Sequence, residues 1–302
     1  MNYFSGEPFS GRIRLDLAYD GTGFHGWARQ PGLRTVQGEL EKALGVLLRG
    51  EFSVTVAGRT DAGVHSRGQA CHFEVERAAW LALPGRSDRR PGEALVSRLA
   101  AVLPDDIAVH AAREVTEGFD ARFSAISRTY RYRISDRLDL RDPMRRDVLR
   151  HRRVLDVERM HEAAQALLGE HDFLSYSKPR EGATTIRTLL RCDFERPEGD
   201  RADAGLVVAT VQADAFCHHM VRSIVGEMMA VGEGRRPVSH PAEILAACSR
   251  EGAIAAPMAP PQGLTLEAVE YPENEADYAA QAVLTRRRRD ESPELKSATP
   301  AL

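Results

Sequence analysis

The chain has 302 residues, 43% of them hydrophobic and 28% charged, with a formal net charge of −3. These proportions are those of an ordinary globular protein of one large or two medium domains, and they exclude a globally basic nucleic-acid binder. Any RNA site must therefore come from local concentration of arginine.

The positive charge is almost all guanidinium, since the only lysines are Lys42, Lys178 and Lys296. Arginine suits phosphate through bidentate bonds and stacks on bases, although a compositional bias of the source genome accounts for much of the lysine shortage. Cys71, Cys192, Cys217 and Cys248 form no C-x-x-C pair, so neither a disulfide framework nor a zinc knuckle is expected. Residues 1–10 have no basic start leading into an apolar core, and no run of about 18 apolar residues exists anywhere. The expectation is a reduced, cytoplasmic protein without a signal peptide or a membrane span.

In chain order, Ile13, Leu15 and Leu17 alternate with Arg12, Arg14 and Asp16, the period of a half-buried strand. Thr35 can cap a helix with Val36, Leu40, Leu44, Leu47 and Leu48 on its apolar face and Gly50 past its end. Phe52 to Ala57, Gln69 to Val75 and Ile107 to Val115 read as strands. The Pro, Gly and Arg-rich stretch Leu83 to Gly92 reads as a surface loop.

A similar order follows. Tyr130 to Ser135 reads as a strand, placing Tyr130 and Tyr132 on one face and Arg131 and Arg133 on the other. Asp156 can cap a helix carrying Val157, Met160, Ala164, Leu167 and Leu168, with Gly169 past its end. Leu189 to Phe194 and Leu206 to Ala213 read as strands. Met220, Val221, Ile224, Val225, Met228 and Met229 form a helical stripe, and Pro241 opens a short helix through Cys248. Two mixed halves, residues 11–115 and 116–273, predict an α+β duplication. Residues 274–302, with the Arg286–Arg289 run followed by acidic, Ser and Pro residues, read as a disordered tail.

The chemistry concentrates in Ala57 to Arg67, A-G-R-T-D-A-G-V-H-S-R. Asp61 stands between Thr60 and the small residues Ala62 and Gly63, which let a large planar ligand approach its carboxylate. Arg59, two positions earlier, would favour the ionised form. An ionised, pocketed Asp is a candidate nucleophile or general base; a polar turn is the plain alternative. Arginines 122, 128, 131, 133, 137, 141, 145, 146, 150, 152 and 153, interleaved with Phe123, Tyr130 and Tyr132, have the pattern of an RNA-contact surface diluted by Asp136, Asp139, Asp142 and Asp147. Steeply salt-dependent RNA binding would follow. His218 and His219 are adjacent, which on a helix would point them apart, and the usual metal-ligand spacings are missing.

The Ala57–Arg67 stretch resembles the signature of the tRNA pseudouridine synthase A family. So do Tyr19 to Trp27 (Y-D-G-T-G-F-H-G-W), Ala121 to Ala125 (A-R-F-S-A), Arg128 to Tyr132 (R-T-Y-R-Y), Gly169 to Phe173, Arg187 to Leu189, Phe216 to Gly226 (F-C-H-H-M-V-R-S-I-V-G), Gly263 to Leu266 and Tyr271-Pro272. These blocks appear in family order from about residue 12 to about residue 273. Two departures are Ala28, where the family usually has Gln, and Ala100 and Ala101, where it usually has Asn ahead of L-P-D-D-I.

The resemblance implies a pseudouridine synthase fold, with two duplicated α/β halves and antiparallel-rich sheets flanking a central cleft. It implies a homodimer that isomerises uridines 38, 39 and 40 of the tRNA anticodon stem-loop without cofactor or metal. Asp61 would be the nucleophile, Arg59 its charge partner, and Tyr130 the pocket aromatic that stacks on the base or assists proton transfer at C5. Thr60, His65, Arg122, Phe123, Arg222 and Leu264 would contact substrate, Leu264 or Leu266 forming an apolar wall that core packing explains equally well. Two alternatives stand beside this reading. One is a catalytically silent tRNA-binding or folding protein on the same scaffold. The other is a metal hydrolase using His65, His72 and Asp61.

Overall fold

The computed structural model describes residues 11–178, 184–199, 202–249 and 256–290. Strand β1 (Arg12–Tyr19) alternates buried and partly exposed residues with the expected period of two. Helix α1 (Val36–Leu48) starts where the Thr35 hydroxyl accepts the Gly38 N–H at 3.3 Å, and it ends at Arg49 in the left-handed region.

The strand expected over Phe52 to Ala57 shrinks to β2 (Thr55–Val56), because the Val54 N–H turns to the Glu41 carboxylate of α1 instead of a neighbouring strand. Strand β3 (His65–Glu74) begins four residues earlier than expected. Two helices follow that the pattern did not reveal, α2 (Arg77–Ala82) and α3 (Pro91–Val102). The presumed loop ends where Pro91 opens α3. There the Glu93 carboxylate accepts the Arg90 N–H, and Ala94, Leu95 and Leu99 are buried. Strand β4 (Ile107–Glu114) closes the first half.

The second half runs β5 (Ser127–Ser135), β6 (Leu149–Arg150), α4 (Val157–Gln165), β7 (Gly169–Asp172), β8 (Ile186–Glu195), β9 (Val207–Ala213), α5 (Met220–Gly232), α6 (His240–Ala247), β10 (Leu264–Glu270) and α7 (Tyr278–Asp290). Asp156 caps α4 as expected, its carboxylate accepting from the Arg159 N–H.

Among the described residues these strands make one mostly antiparallel α+β sheet, in the order β4-β1-β3-β10-β5-β9-β8-β7, with β2 on β3 and β6 on β5. Strand β10 is the central splice. It runs parallel to β3 (Thr265 beside His65) and antiparallel to β5 (Leu266 beside Tyr130). One apolar cluster lies under β1, β3, α1 and α3, and a larger one lies under β5, β8, β9, α4 and α5. No helix among the described residues is long and apolar enough to cross a membrane.

The expectation of a disordered tail is corrected over its first part. Residues 278–290 form α7, because buried Tyr278 packs between Phe119 and Tyr271, and Arg286 reaches Asp120 and the face of Phe123. Residues 291–302 lie outside the described residues.

Candidate active site

The loop between β2 and β3 carries Asp61, and the Tyr19–Trp27 segment is its cradle. Trp27 N–H donates to the Thr60 carbonyl at 3.0 Å and Gly63 N–H to the Phe24 carbonyl at 3.2 Å. The Thr60 and Tyr19 hydroxyls are 2.8 Å apart, and Gln69 donates to Tyr19 and to the Gly58 carbonyl. The segment has to be glycine-rich. A Cβ on Gly21 would stand 2.0 Å from the Val64 carbonyl oxygen, and Gly26 has φ 92° with the Thr60 carbonyl 2.9 Å from where its Cβ would be. Two motifs far apart in sequence thus form one rigid support, in which Thr60 is a buried anchor rather than an exposed contact.

Helix α5 points its first turn at this loop. Arg222 Nη1 is 3.3 Å from Asp61 Oδ2, His218 Nε2 is 3.4 Å from Oδ1, and His219 Nε2 is 3.5 Å from Oδ2. Arg222 is itself pinned by its Nε–H donating to the Ala259 carbonyl at 2.8 Å. Two expectations are corrected here. Arg59 is exposed, and the groups that face the Asp61 carboxylate among the described residues are the guanidinium of Arg222 and the rings of His218 and His219. The two histidines do not diverge, because the helix starts only at Met220. His219, preceding it, takes the left-handed conformation at φ 67°. That turn brings the two rings to 3.8 Å and aims both at Asp61. Burial lowers the His219 pKa, with His218, Arg222 and Lys178 acting in the same direction and Asp61 opposing.

The other predicted residues are placed as follows. Tyr130 on β5 is buried, packs edge-on against Phe216 at 5.2 Å, and makes no hydrogen bond through its hydroxyl to a described residue. Burial pushes its phenol well above the usual range, and the nearby charges of Tyr19 and Asp61 push the same way. Leu264 and Leu266 are both buried on β10, beside Tyr132 and Tyr130 respectively. Arg122 is exposed with its guanidinium 5.0 Å from the Phe123 ring, and Arg286 lies 4.6 Å from that ring.

His65 is buried, and its Nδ1 accepts the Gly21 N–H at 3.2 Å. With that nitrogen accepting, His65 is the neutral Nε2–H tautomer, and Asp20 at 3.1 Å from Nδ1 is a close neighbour rather than an ion pair. Its pKa is lowered, mainly by burial. His72 is buried on the same strand with Nδ1 accepting the Ala121 N–H. The set His65, His72 and Asp61 is therefore not gathered. The residues that do bring metal-ligand atoms within 4.8 Å of one another are Asp61, His218 and His219, where the Arg222 guanidinium already stands on the carboxylate.

The arginine-rich stretch is less available than its composition implied. Arg133 is fully buried against Asp203 and Glu267, Arg145 bonds Asp147 and Asp203, and Arg137 pairs with Asp139. Arg128 is buried and donates to three carbonyls: Ala57 ahead of the Asp61 loop, Arg122, and Asp214 on the approach to α5. Arg131, Arg141, Arg150 and Arg152 remain exposed. Arg141, Arg145, Arg146 and Arg150 line an open cavity of about 570 Å³, together with Thr22 and Gln262 from the flank of the Asp61 loop.

The family resemblance implies that His218 and His219 sit near the site without binding metal; what sequence reasoning missed is that both rings face the Asp61 carboxylate, and that Arg128 ties segments together. The F-C-H-H-M-V-R block was the available signal. Residues 17–124 and 163–272 match the family model described as tRNA pseudouridine synthase. The protein called tRNA pseudouridine synthase A in Streptomyces griseus subsp. griseus is 48% identical over 93% of this chain and 94% of its own. Those of Streptomyces avermitilis and Frankia casuarinae are each 50% identical, over 89% and 91% of this chain and 91% and 94% of theirs.

Proposed function

The chain belongs to the tRNA pseudouridine synthase family, a family of isomerases, and from that premise we propose that it converts uridines 38, 39 and 40 of the tRNA anticodon stem-loop to pseudouridine with Asp61 as nucleophile. The observation that carries this reading is the convergence on Asp61 of Arg222, His218 and His219, beside the buried ring of Tyr130. The reaction breaks the C1′–N1 bond, turns the uracil and joins C5 to C1′. A carboxylate at the sugar carbon holds the fragment covalently while the base turns. Arg222, pinned by the Ala259 carbonyl, orients that carboxylate before attack.

The target base has to leave its stack, at a cost of a few kcal/mol. Stacking on an aromatic returns roughly 1–3 kcal/mol, and Tyr130 is the aromatic at hand. Leu264 and Leu266 continue the apolar wall behind it and keep water from the glycosylated intermediate. Arg59, exposed at the mouth, and Arg122 with Phe123 meet the entering RNA. The arginine-lined cavity beside Thr22 and Gln262 takes the phosphates of the stem. The active form is a homodimer that works where tRNA matures, in the cytoplasm.

The test is tritium release from tRNA labelled at uridine C5, followed by mapping of the product positions, for wild type and Asp61→Ala. Release by wild type alone, with pseudouridine at 38, 39 or 40, is expected. Tight tRNA binding with no release from either protein would instead identify a silent binding protein, and release by Asp61→Ala would remove Asp61 from the mechanism.

A further inference from the structure

The Arg286–Arg289 run, read from the sequence as part of a disordered tail, is carried by α7, and no step of the reaction above uses it. We propose that the basic end of α7 is a phosphate-binding element, in which Arg286 and Arg287 grip the tRNA backbone outside the pocket that takes the target base, an inference that rests on tRNA being the substrate.

Packing of the first turns fixes where that end lies. Tyr278 is buried against Phe119 and Tyr271, with ring centroids 5.0 and 6.4 Å away, and its carbonyl accepts the Ser124 hydroxyl at 3.0 Å. Ala282 is buried one turn later. Gly118 makes room for the helix, since a Cβ there would stand 3.0 Å from the Ala279 Cβ. About two turns past Tyr278, the Arg286 guanidinium reaches back to the same segment. Its Nη2 is 3.1 Å from Asp120 Oδ2, and its Cζ is 4.6 Å from the centre of the Phe123 ring. Arg122 Cζ lies 5.0 Å from that ring. The other oxygen of Asp120 shapes the turn, accepting the Arg122 and Phe123 N–H groups at 2.8 and 2.9 Å. Arg128 then ties the turn to the site. Its Nη2 donates both to the Arg122 carbonyl at 2.6 Å and to the Ala57 carbonyl at 3.0 Å. The segment bearing Phe123 and its two guanidiniums therefore stands beside the residue that leads into the Asp61 loop.

Charge selects the ligand. Arg286 and Arg287 are exposed, and Arg287 makes no ion pair with a described residue. Asp120 engages one Nη of Arg286, and a guanidinium carries several further N–H donors, so the pair aims the group without saturating it. The helix dipole favours cations at this end. That accounts for arginines at the end of α7, but not for one held against an aromatic ring beside the Asp61 loop. Contact with Phe123 fixes the plane of the fork, and a fixed fork suits the bidentate geometry of phosphate. Charge alone would also attract an acidic protein surface; a place next to the loop that receives RNA favours the tRNA.

The test is filter binding of tRNA over a range of salt concentrations, with steady-state conversion in parallel. The proteins compared are wild type, Arg287→Gln, the double variant Arg286→Gln/Arg287→Gln, and Arg286→Lys. Glutamine has nearly the helix propensity of arginine, so α7 is retained. The double variant is expected to bind tRNA about tenfold more weakly at low salt, with the slope of log K against log salt shallower by about one to two. The loss should fall on KM rather than on kcat. Arg287→Gln, which breaks no ion pair to a described residue, should already make the slope shallower, and Arg286→Lys, which keeps the charge, should keep it. Unchanged affinity and slope in the double variant overturn the proposal and leave α7 a packing element. A lower kcat with an unchanged slope overturns it as well, assigning Arg286 to holding the Asp120–Ser124 turn. If wild type itself neither binds nor converts tRNA, the functional reading falls and the assignment with it, an outcome that does not depend on the variants.

Discussion

Arg222 Nη1 and Asp61 Oδ2 meet at 3.3 Å across 161 residues of sequence, and this contact ties the helix of the second half to the loop of the first. The guanidinium is aimed by the Ala259 carbonyl, so the pair is preorganised rather than a chance surface contact. Replacing Arg222 with Met is expected to lower kcat by roughly 100-fold or more, the order seen when a preorganised charge partner of a reacting group is lost. The fall in tRNA affinity should be much smaller. Lys at this position cannot hold both Ala259 and Asp61 and should recover only part of the rate. Single-turnover kinetics with a parallel filter-binding titration checks this, and a variant weakened only in binding would assign Arg222 to the phosphates instead.

Tyr130→Phe separates stacking from proton transfer. The hydroxyl makes no hydrogen bond to a described residue, and burial holds it protonated. The ring lies against Phe216 and opposite Leu266, where a phenyl group fits equally well. Turnover by Tyr130→Phe should stay within about threefold of wild type, whereas Tyr130→Ala should lose roughly 1–3 kcal/mol of base stacking. A collapse of the Phe variant in the tritium-release assay would show that the hydroxyl takes part in the chemistry.

Much of this was legible in the chain. Alternation placed β1 and β5, Thr35 and Asp156 capped the helices they were expected to cap, and the A-G-R-T-D block pointed to Asp61. What was hidden has physical causes. Local spacing favoured Arg59 as the partner of Asp61, but charge pairing acts through space and the helix delivers Arg222 instead. Adjacent histidines diverge only on a continuous helix, and one left-handed residue reverses that conclusion. Helix α3 was masked because Pro91 was read as a breaker when it stands at a helix start. Arginines that looked like an RNA surface are in part interior, since a buried ion pair such as that of Arg133 with Asp203 and Glu267 leaves no trace in composition.

Arg128 is expected to be structural first and kinetic second. Its guanidinium, buried with a pKa lowered chiefly by desolvation, gathers the carbonyls of Ala57, Arg122 and Asp214. Methionine there leaves three carbonyls without their charged donor, and hydrogen bonds to charged groups contribute about 1.5–3 kcal/mol each before compensation. A net loss of about 3 kcal/mol in urea unfolding is the expected outcome, together with a lower kcat as the Asp61 loop and the approach to α5 lose register. Arg128→Lys, which reaches fewer of the carbonyls, should fall between. A loss below about 1 kcal/mol for the Met variant would mean that the backbone holds these segments without it.

Stability should fall on mild acidification. His65, His72 and His219 all have lowered pKa values, in each case chiefly because burial disfavours the imidazolium; Arg12 adds to this at His72, while Asp20 opposes it at His65 and Asp61 at His219. A histidine whose folded pKa lies below its unfolded value of about 6.5 binds fewer protons folded than unfolded across the interval between the two. Stability therefore rises with pH through that interval, is fully present above about 6.5, and declines as the pH drops below it. Asp136 acts in a lower window. Burial raises its pKa, but the Arg196 guanidinium and the Leu155 N–H more than offset this. Its contribution is present above about 3.8, the unfolded value, and is lost as pH falls through the lower folded value. Urea midpoints should thus be level from pH 8 to about 7 and drop between about 6.5 and 5, above the window in which Asp136 acts. His72→Gln, which can still accept the Ala121 N–H, should flatten part of that slope. A midpoint unchanged from pH 8 to pH 5 would mean that these histidines are hydrated well enough to titrate in the folded state as they do in the unfolded chain.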